Sequence, residues 1–425
     1  MACALMVQAA HGQQPMSLNL EDAYAPVKAE MLAGGGSIVC LGDSLTFREH
    51  AFWENFRAIV QQQYGNGGFG YQAISAWTGA IDGSPSWVEG RINADTAPHW
   101  SLDGMWLMSN YWHRGAVTFQ MQDRHVKFHY VVQPDGGSMT VIHPGVPGLS
   151  GNSLVGTIET AGQNDVGILE YNFQDWEYQQ LRFYTQSTGN VVLLGAENLS
   201  DQPGPRIHRV ANGGWGVDEF LRRNWTFDRQ LQLLAPQLVI IMLGQNDVGW
   251  SPTQWRELME QFIARVQTGV PGIKVVLVSS YDSGSVILPE FAAQLRDFAM
   301  QTGVGFIDLN ASAGRYQFFQ SNGLLDPDGL HFSTSGGQYV ARLIFDALES
   351  GGASLLNAPC GDIDFNNDTG LFDPEDINDF LRVYSEGECS TGNCDPIDFN
   401  RDGGVFDPGD IDAFLRVYSE GPCSV

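Results

Sequence analysis

Basic residues are scarce in this chain of 425 residues, in which 22 Lys and Arg stand against 49 Asp and Glu for a net charge of −27. Nucleic acids and anionic membranes are bound through basic patches, so this balance argues against both kinds of partner. The sequence also lacks an apolar run of about 18 residues, which a transmembrane helix requires. Hydrophobic residues still make up 43% of the chain. That fraction can build buried cores, and the length suggests two to four domains.

Cysteine is scarce as well, and it is unevenly placed. Four of the six cysteines lie within residues 360–425: Cys360, Cys389, Cys394 and Cys423. The same segment holds 16 acidic residues and only three arginines. Clustered cysteines favour disulfide bonds and an oxidising compartment, so we expect a secreted, periplasmic or cell-surface protein. Residues 1–15 contain small residues like those of a signal-peptide cleavage region, but they lack the basic start of a signal peptide. We interpret them as a leader, and we favour a truncated signal peptide.

Short apolar runs alternate with helical patterns along residues 16–64 and 206–350. The runs predict buried strands at 36–41, 238–243, 273–278 and 304–309. Helical patterns follow at 255–266, 288–300 and 337–348. This alternation is typical of an α/β domain with a parallel sheet.

Residues 65–205 break that rhythm. They are rich in glycine, proline and aromatic residues, and they contain short alternating runs separated by turn residues. This pattern predicts a β-sandwich inserted into the α/β domain. Six of the eleven tryptophans lie in the insert: Trp77, Trp87, Trp100, Trp106, Trp112 and Trp176. Exposed tryptophans would suit stacking on sugar rings, whereas buried ones would fill the sandwich core.

Three polar motifs follow predicted strands, at the sheet edge where α/β folds place their ligands. They are GDSL at 42–45, GQND at 244–247 and DGLH at 328–331. A neutral imidazole at His331 would take the proton of the Ser44 hydroxyl, and Asp328 would orient that imidazole. Each motif taken alone also fits a turn or a helix cap.

Two further groups fit the stabilisation of a developing oxyanion. The Asn246 amide can donate a hydrogen bond to it. Gly213, after a short strand at 207–210, would allow a close backbone N–H, although Gly214 could fill this position and a tight turn is the alternative.

Taken in order, these segments resemble the SGNH (GDSL-type) hydrolase superfamily. The resemblance implies a flavodoxin-like three-layer α/β/α fold and ester hydrolysis with no cofactor in catalysis. It implies that Ser44 is the nucleophile, His331 the general base and Asp328 the third triad member. It further implies an oxyanion hole made of the Ser44 N–H, the Gly213 N–H and the Asn246 side chain.

The position of the insert, together with its glycine-rich start at 64–72, resembles the bacterial peptidoglycan and polysaccharide O-acetylesterases. This resemblance implies an exported esterase that acts on an acetylated polysaccharide or on peptidoglycan, with a carbohydrate-binding insert. A lipase, arylesterase or thioesterase of the same superfamily is the alternative within the enzymes. A glycan-binding or scaffold-associated protein with a vestigial hydrolase core is the alternative outside them.

The acidic tail is an internal repeat. Residues 360–389 align without gaps to residues 394–423, with 21 of 30 positions identical. Oxygen-bearing side chains alternate at the start of each repeat, as in an EF-hand calcium loop. The predicted calcium ligands are Asp364, Asn366, Asp368, Asp373 and Asp376 in the first repeat, and Asp398, Asn400, Asp402, Asp407 and Asp410 in the second.

The tail resembles a type I dockerin, which implies structural calcium and a cohesin-like partner. The closing acid of each loop falls one residue later than the standard pattern. A disulfide-stapled surface module without a cohesin partner is the alternative. The cysteine spacing fits one bridge closing each repeat, although four cysteines allow three pairings.

Overall fold

The computed structural model describes most of the chain between residues 16 and 352 and part of the tail. The described ranges are 16–48, 50–73, 80–83, 87–90, 97–110, 116–121, 123–145, 151–174, 179–186, 189–352, 365–366, 374–385, 387, 389–390, 399, 410–411 and 413–414. The predicted leader, residues 1–15, lies outside them. None of the described helices is long and apolar enough to cross a membrane.

Eleven helices and seventeen strands are described. The helices are α1 Leu20–Leu32, α2 Ser44–Phe47, α3 Phe52–Tyr64, α4 Val217–Leu221, α5 Trp225–Leu234, α6 Pro252–Gly269, α7 Leu288–Thr302, α8 Leu309–Ser312, α9 Tyr316–Ser321, α10 Thr334–Glu349 and α11 Pro374–Tyr384. The strands are β1 Ser17–Leu18, β2 Ser37–Gly42, β3 Gly70–Ala73, β4 Ala80–Gly83, β5 Val88–Gly90, β6 Trp106–Ser109, β7 Ala116–Gln120, β8 His125–Val132, β9 Ser138–His143, β10 Ser153–Glu159, β11 Asp165–Asn172, β12 Gln180–Thr185, β13 Val191–Leu199, β14 Arg206–Ala211, β15 Leu238–Met242, β16 Lys274–Val278 and β17 Gly305–Ile307.

The first sheet has the order β1-β17-β16-β15-β2-β14. Its last five strands are parallel, and only the short β1 runs antiparallel. In chain order the parallel strands are arranged 2-1-3-4-5, which is the flavodoxin-like order. One apolar cluster packs α1, α3 and α10 on one face of the sheet, and a second packs α4 to α7 on the other. The predicted α/β fold with three layers is confirmed.

Burial on both faces explains why the sequences of the parallel strands are continuous apolar runs. In β2, Ile38 and Cys40 belong to the cluster on one face, whereas Val39 and Leu41 belong to the other. A central parallel strand covered by helices on both sides requires this pattern.

The last helix of the α/β domain begins earlier than the sequence pattern predicts. α10 starts at Thr334 rather than at residue 337, because the Ser333 side chain accepts a hydrogen bond from the Gly336 N–H. This cap stabilises a first turn that contains two glycines, which are poor helix formers.

Between α3 and β14, the chain builds two antiparallel sheets from residues 70–199. Their strand orders are β10-β9-β12-β7-β4 and β11-β8-β13-β6-β5, and β3 also pairs with β13. An apolar cluster containing Phe119, Phe128 and Phe183 fills the space between the sheets. The insert is therefore a β-sandwich within the part of the chain that the structure describes.

The sandwich packs on the α/β domain through tryptophan side chains. Trp100 and Trp106 are buried in a cluster with residues of the sandwich, and Trp225 of α5 packs against that cluster. Trp87 is half-buried, and the other tryptophans of the insert lie outside the described residues. For Trp100 and Trp106, the core interpretation is therefore the correct one.

In the tail, the two repeats share one small core. Phe365 and Phe399 occupy equivalent repeat positions, as do Phe380 and Phe414. All four rings are buried together, and those of Phe380 and Phe414 stack with centroids 4.1 Å apart. Cys389 is disulfide-bonded.

Candidate active site

The candidate site lies where the strand order of the first sheet reverses. In this fold, the crevice between the first and third parallel strands, here β2 and β15, is the usual ligand site. The register pairs Gly42 at the end of β2 with Met242 of β15 and with Ala211 of β14. The three segments that follow therefore leave the sheet at the same level. A side chain at Gly42 would clash, since a Cβ there would lie 2.3 Å from Thr46 Oγ1.

A chain of hydrogen bonds joins three of the predicted site residues. Ser44 Oγ lies 2.8 Å from His331 Nε2, and His331 Nδ1 lies 2.7 Å from Asp328 Oδ2. A carboxylate only accepts hydrogen bonds, so Nδ1 carries the ring proton and Nε2 accepts from the serine hydroxyl. The structure thus brings together residues 287 positions apart in the sequence in an arrangement that suits general-base activation of the serine.

Asp328 is held in its ionised form. Burial alone would raise the pKa of its carboxyl. Hydrogen bonds from the backbone N–H groups of His331 and Leu330, together with the His331 imidazole, outweigh that effect and hold the pKa well below its usual range. The carboxylate therefore keeps its charge wherever the imidazole has to act as a base.

Arg48 is a site residue that the sequence analysis missed. Its Nη1 lies 3.1 Å from Asp328 Oδ2 and 3.7 Å from Asp326 Oδ2. Arg48 comes four residues after Ser44, and helical periodicity places such residues on one side. That spacing was the available signal, but the partner carboxylates lie some 280 residues away in the sequence.

Tyr281 is a second residue that the sequence did not indicate. Its hydroxyl donates a 2.5 Å hydrogen bond to the Leu330 carbonyl. The segment after β16 also contacts the segment after β15, since Ser283 Oγ donates to Gln245 Oε1 at 3.0 Å. The loops that carry His331 and Asn246 are therefore both braced by the loop between β16 and α7.

The predicted oxyanion donors lie on neighbouring loops of this edge. Ser44 is the first residue of α2, a position whose N–H has no acceptor within its own helix. Asn246 Nδ2 donates to the Trp215 carbonyl at 3.0 Å, and the amide has a second hydrogen for another acceptor. Gly213 lies in the turn after β14, two residues before Trp215.

Two buried carboxylates support these loops. Asp43 Oδ1 accepts from the Leu45 N–H at 2.9 Å, and Asp247 Oδ1 accepts from the Val217 N–H at 2.9 Å. Burial raises the pKa of Asp43 to about 7 and that of Asp247 to about 6, and the repulsion of Asp43 by Asp247 adds to its shift. Asp247 therefore does cap a helix, the one that starts at Val217.

Comparison with known proteins agrees with this geometry. Residues 187–339 match the GDSL-like Lipase/Acylhydrolase family. The chain carries a GDSL-type hydrolase domain. The matched range contains Gly213, Asn246, Asp328 and His331, and Ser44 lies outside it but is joined to it by the hydrogen bond to His331. None of the curated proteins matches the chain.

Solved structures share the fold of this chain. A structure described as a peptidoglycan O-acetylesterase in action is similar, with a TM-score of 0.62 and 15% identity over 78% of this chain and 95% of that one. A family two carbohydrate esterase from Cellvibrio japonicus covers 66% of this chain and 97% of its own, at 12% identity. Its TM-score is 0.29, which is too low to support an argument.

The acidic tail contains the predicted calcium ligands. Three of them are described, and the side chains of Asn366, Asp376 and Asp410 are buried. The other seven lie outside the described residues: Asp364, Asp368, Asp373, Asp398, Asn400, Asp402 and Asp407. Within the described part of the chain, no group of three or more His, Cys, Asp or Glu is arranged to hold a metal.

Proposed function

We propose that this protein is an exported serine esterase that removes O-acetyl groups from a carbohydrate polymer. The observation that carries the proposal is the continuous hydrogen-bond chain from Ser44 through His331 to an ionised Asp328. Such a chain activates a hydroxyl for attack on a carbonyl carbon.

In the acylation step, His331 Nε2 removes the Ser44 proton as Oγ attacks the ester carbonyl. The carbonyl oxygen becomes negative, and the N–H groups of Ser44 and Gly213 and the Asn246 amide stabilise it. The His331 imidazolium, held by Asp328, then protonates the leaving sugar oxygen, and the acetyl group stays on Ser44.

In the deacylation step, the same groups act on water. His331 takes a proton from a water molecule that attacks the acyl carbonyl, and the oxyanion donors act again. Collapse of this second intermediate returns the proton to Ser44 Oγ and releases acetate.

Two observations support a carbohydrate substrate. The structure with a TM-score of 0.62 is described as a peptidoglycan O-acetylesterase, and the match spans 78% of this chain, which is more than the α/β domain alone can fill. The sandwich also packs directly on the hydrolase domain through Trp100 and Trp106. An insert held in this way can present a polymer to the catalytic edge.

Export and an anchoring role for the tail belong to the same proposal. A disulfide bond at Cys389 suits an oxidising compartment. Asn366, Asp376 and Asp410 are buried side chains that carry oxygen atoms, the ligand type that calcium prefers. A structural calcium ion in each repeat and a cohesin-like partner are what the dockerin resemblance implies, and both belong to this proposal.

The experiment is the release of acetate from acetylated xylan, from acetylated peptidoglycan and from 4-nitrophenyl acetate. Wild type is compared with Ser44→Ala and with Ser321→Ala, a control at an exposed serine on α9. We expect release from one polymer, retained by Ser321→Ala and lost by Ser44→Ala. For a serine nucleophile the loss in turnover is on the order of 10⁶-fold.

Each result decides a different part of the proposal. Hydrolysis of 4-nitrophenyl acetate alone would keep the serine esterase and contradict the carbohydrate substrate. Equal activity of wild type and Ser44→Ala on every ester would overturn the enzyme assignment. Calcium is tested separately by titration calorimetry of the full chain, with Asp364→Ala/Asp398→Ala as the variant that should lose binding.

A further inference from the structure

One segment of the insert, residues 97–105, packs against the α/β domain as well as against the sandwich. Leu102 is buried in the same apolar cluster as Trp215 and Phe220, on the α4–α7 face of the parallel sheet. The insert therefore supplies a piece of the core on which the catalytic edge rests.

Hydrogen bonds hold this segment against α5. The Ser101 N–H donates to Thr226 Oγ1 at 2.9 Å, and the Leu102 N–H donates to Gln230 Oε1 at 3.1 Å. Both bonds are buried, so breaking either would leave a polar group without water. The segment is consequently fixed relative to the hydrolase domain.

The far end of the segment contacts the loop that carries Gly213. Asn212 Nδ2 donates to the Asp103 carbonyl at 2.8 Å, and this bond is also buried. Gly104 faces the Trp215 ring so closely that a Cβ would lie 2.0 Å from its Cη2 atom. Gly104 also has φ +70°, a conformation that favours glycine.

A second contact fixes the Trp215 side chain, and the Trp215 backbone in turn contacts Asn246. The Arg223 guanidinium stacks 4.4 Å from the centroid of the Trp215 ring. The Trp215 carbonyl accepts the hydrogen bond from Asn246 Nδ2. The backbone around Trp215 therefore sets the orientation of one proposed oxyanion donor and lies two residues from another, Gly213.

We propose that Asp103 and Gly104 are positioning residues for the oxyanion hole, so that the inserted domain completes the active site of the hydrolase. The inference rests on the proposed esterase activity. It assigns the insert a role in turnover of any ester, including one too small to reach a carbohydrate-binding surface.

The first test is Gly104→Ala, assayed on 4-nitrophenyl acetate. The added methyl group displaces the Trp215 ring, and a misplacement of about 1 Å in catalytic groups costs roughly 10²-fold in rate. We expect kcat to fall by about that factor while KM changes little, because oxyanion contacts form in the transition state. The control is Gly167→Ala in β11, where a Cβ would likewise meet an aromatic ring, that of Tyr130, at 2.2 Å.

A rescue variant separates positioning from general damage to the fold. Trp215→Phe lacks the outer indole atoms that the methyl group added by Gly104→Ala would meet. Gly104→Ala combined with Trp215→Phe should therefore recover most of the lost kcat, a strongly non-additive result. If Gly104→Ala does not fold, Asn212→Ala replaces it, since that change deletes the bond to Asp103 without adding an atom.

The outcomes distinguish this inference from the proposed function. If wild type hydrolyses the ester through Ser44, and the folded Gly104→Ala or Asn212→Ala variant retains wild-type kcat, only the positioning role is overturned. An equal loss in Gly167→Ala, or no recovery in the double variant, would also overturn it. If wild type shows no hydrolysis that depends on Ser44, both proposals fail.

Discussion

Arg48 Nη1 lies 3.1 Å from Asp328 Oδ2, the same carboxylate oxygen that holds His331 Nδ1 at 2.7 Å. One oxygen therefore serves two cationic partners whenever the imidazole is protonated. Arg48 also extends from the end of the helix that starts at Ser44. The contact links the segment of the nucleophile to that of the base.

Replacement of Arg48 by Ala should move the acid limb of the kcat/KM profile to higher pH. Arg48 offsets part of the Asp328 charge, so its removal favours the protonated, inactive form of the imidazole. Both side chains are more than 40% exposed, at 44% and 42%, so solvent weakens the pair. Exposed pairs contribute up to about 1 kcal/mol, which limits the shift to less than about one pH unit.

The matched control is Arg342→Ala, which removes an exposed arginine paired with Asp346 on α10. The pH profile of Arg342→Ala should coincide with that of wild type. The acid limb of Arg48→Lys should lie between the acid limbs of wild type and Arg48→Ala. An acid limb that moves to lower pH in Arg48→Ala would contradict the proposed contact.

Replacement of Asn246 by Ala should lower kcat on 4-nitrophenyl acetate by about 10²- to 10³-fold, the usual cost of losing one oxyanion donor. KM should change little, and the thermal midpoint should stay close to that of wild type because Asn246 is exposed. Asn322→Ala, at an exposed asparagine after α9, is the control. A loss confined to KM would assign Asn246 to substrate binding instead.

Replacement of Asp247 by Asn should change how stability depends on pH. The folded state raises the pKa of Asp247 to about 6 from an ordinary 3.8, so the native protein binds this proton more tightly than the unfolded chain. That stabilisation is complete below pH 3.8 and is lost as the pH rises through about 6. As the pH rises from about 4 to about 7, the thermal midpoint of Asp247→Asn should therefore increase relative to that of wild type.

Circular dichroism melts across this range provide the measurement, with Asp346→Asn at an exposed site as the control. A difference between Asp247→Asn and wild type that stays constant with pH would contradict the buried-proton explanation.

Deletion of residues 360–425 should leave turnover of 4-nitrophenyl acetate unchanged. The described residues of the tail form their own small core around Phe380 and Phe414, separate from the two apolar clusters of the α/β domain. A fall in kcat after the deletion would refute a purely anchoring role for the tail.

The resemblance in the sequence predicted the three-layer fold and the residues of the hydrogen-bond chain. The apolar runs at 238–243 and 273–278 could be recognised because strands buried on both faces tolerate few polar residues. Ser44 and His331 could be placed at one edge because each follows a strand of a parallel sheet. Arg48 and Tyr281 were missed because their partners are distant in sequence. For Arg48 the spacing from Ser44 was the one local signal, and for Tyr281 there was none.

By itself, the sequence determined the order of helices and strands, the repeat in the tail and the chemical types at the sheet edge. These properties depend on periodicity and on neighbouring residues. Only the tertiary structure decided that Asp103 and Gly104 lie against Asn212 and Trp215. That packing depends on the orientation of the inserted sandwich relative to the α/β domain. The orientation is set by many weak contacts between segments that are distant in the sequence.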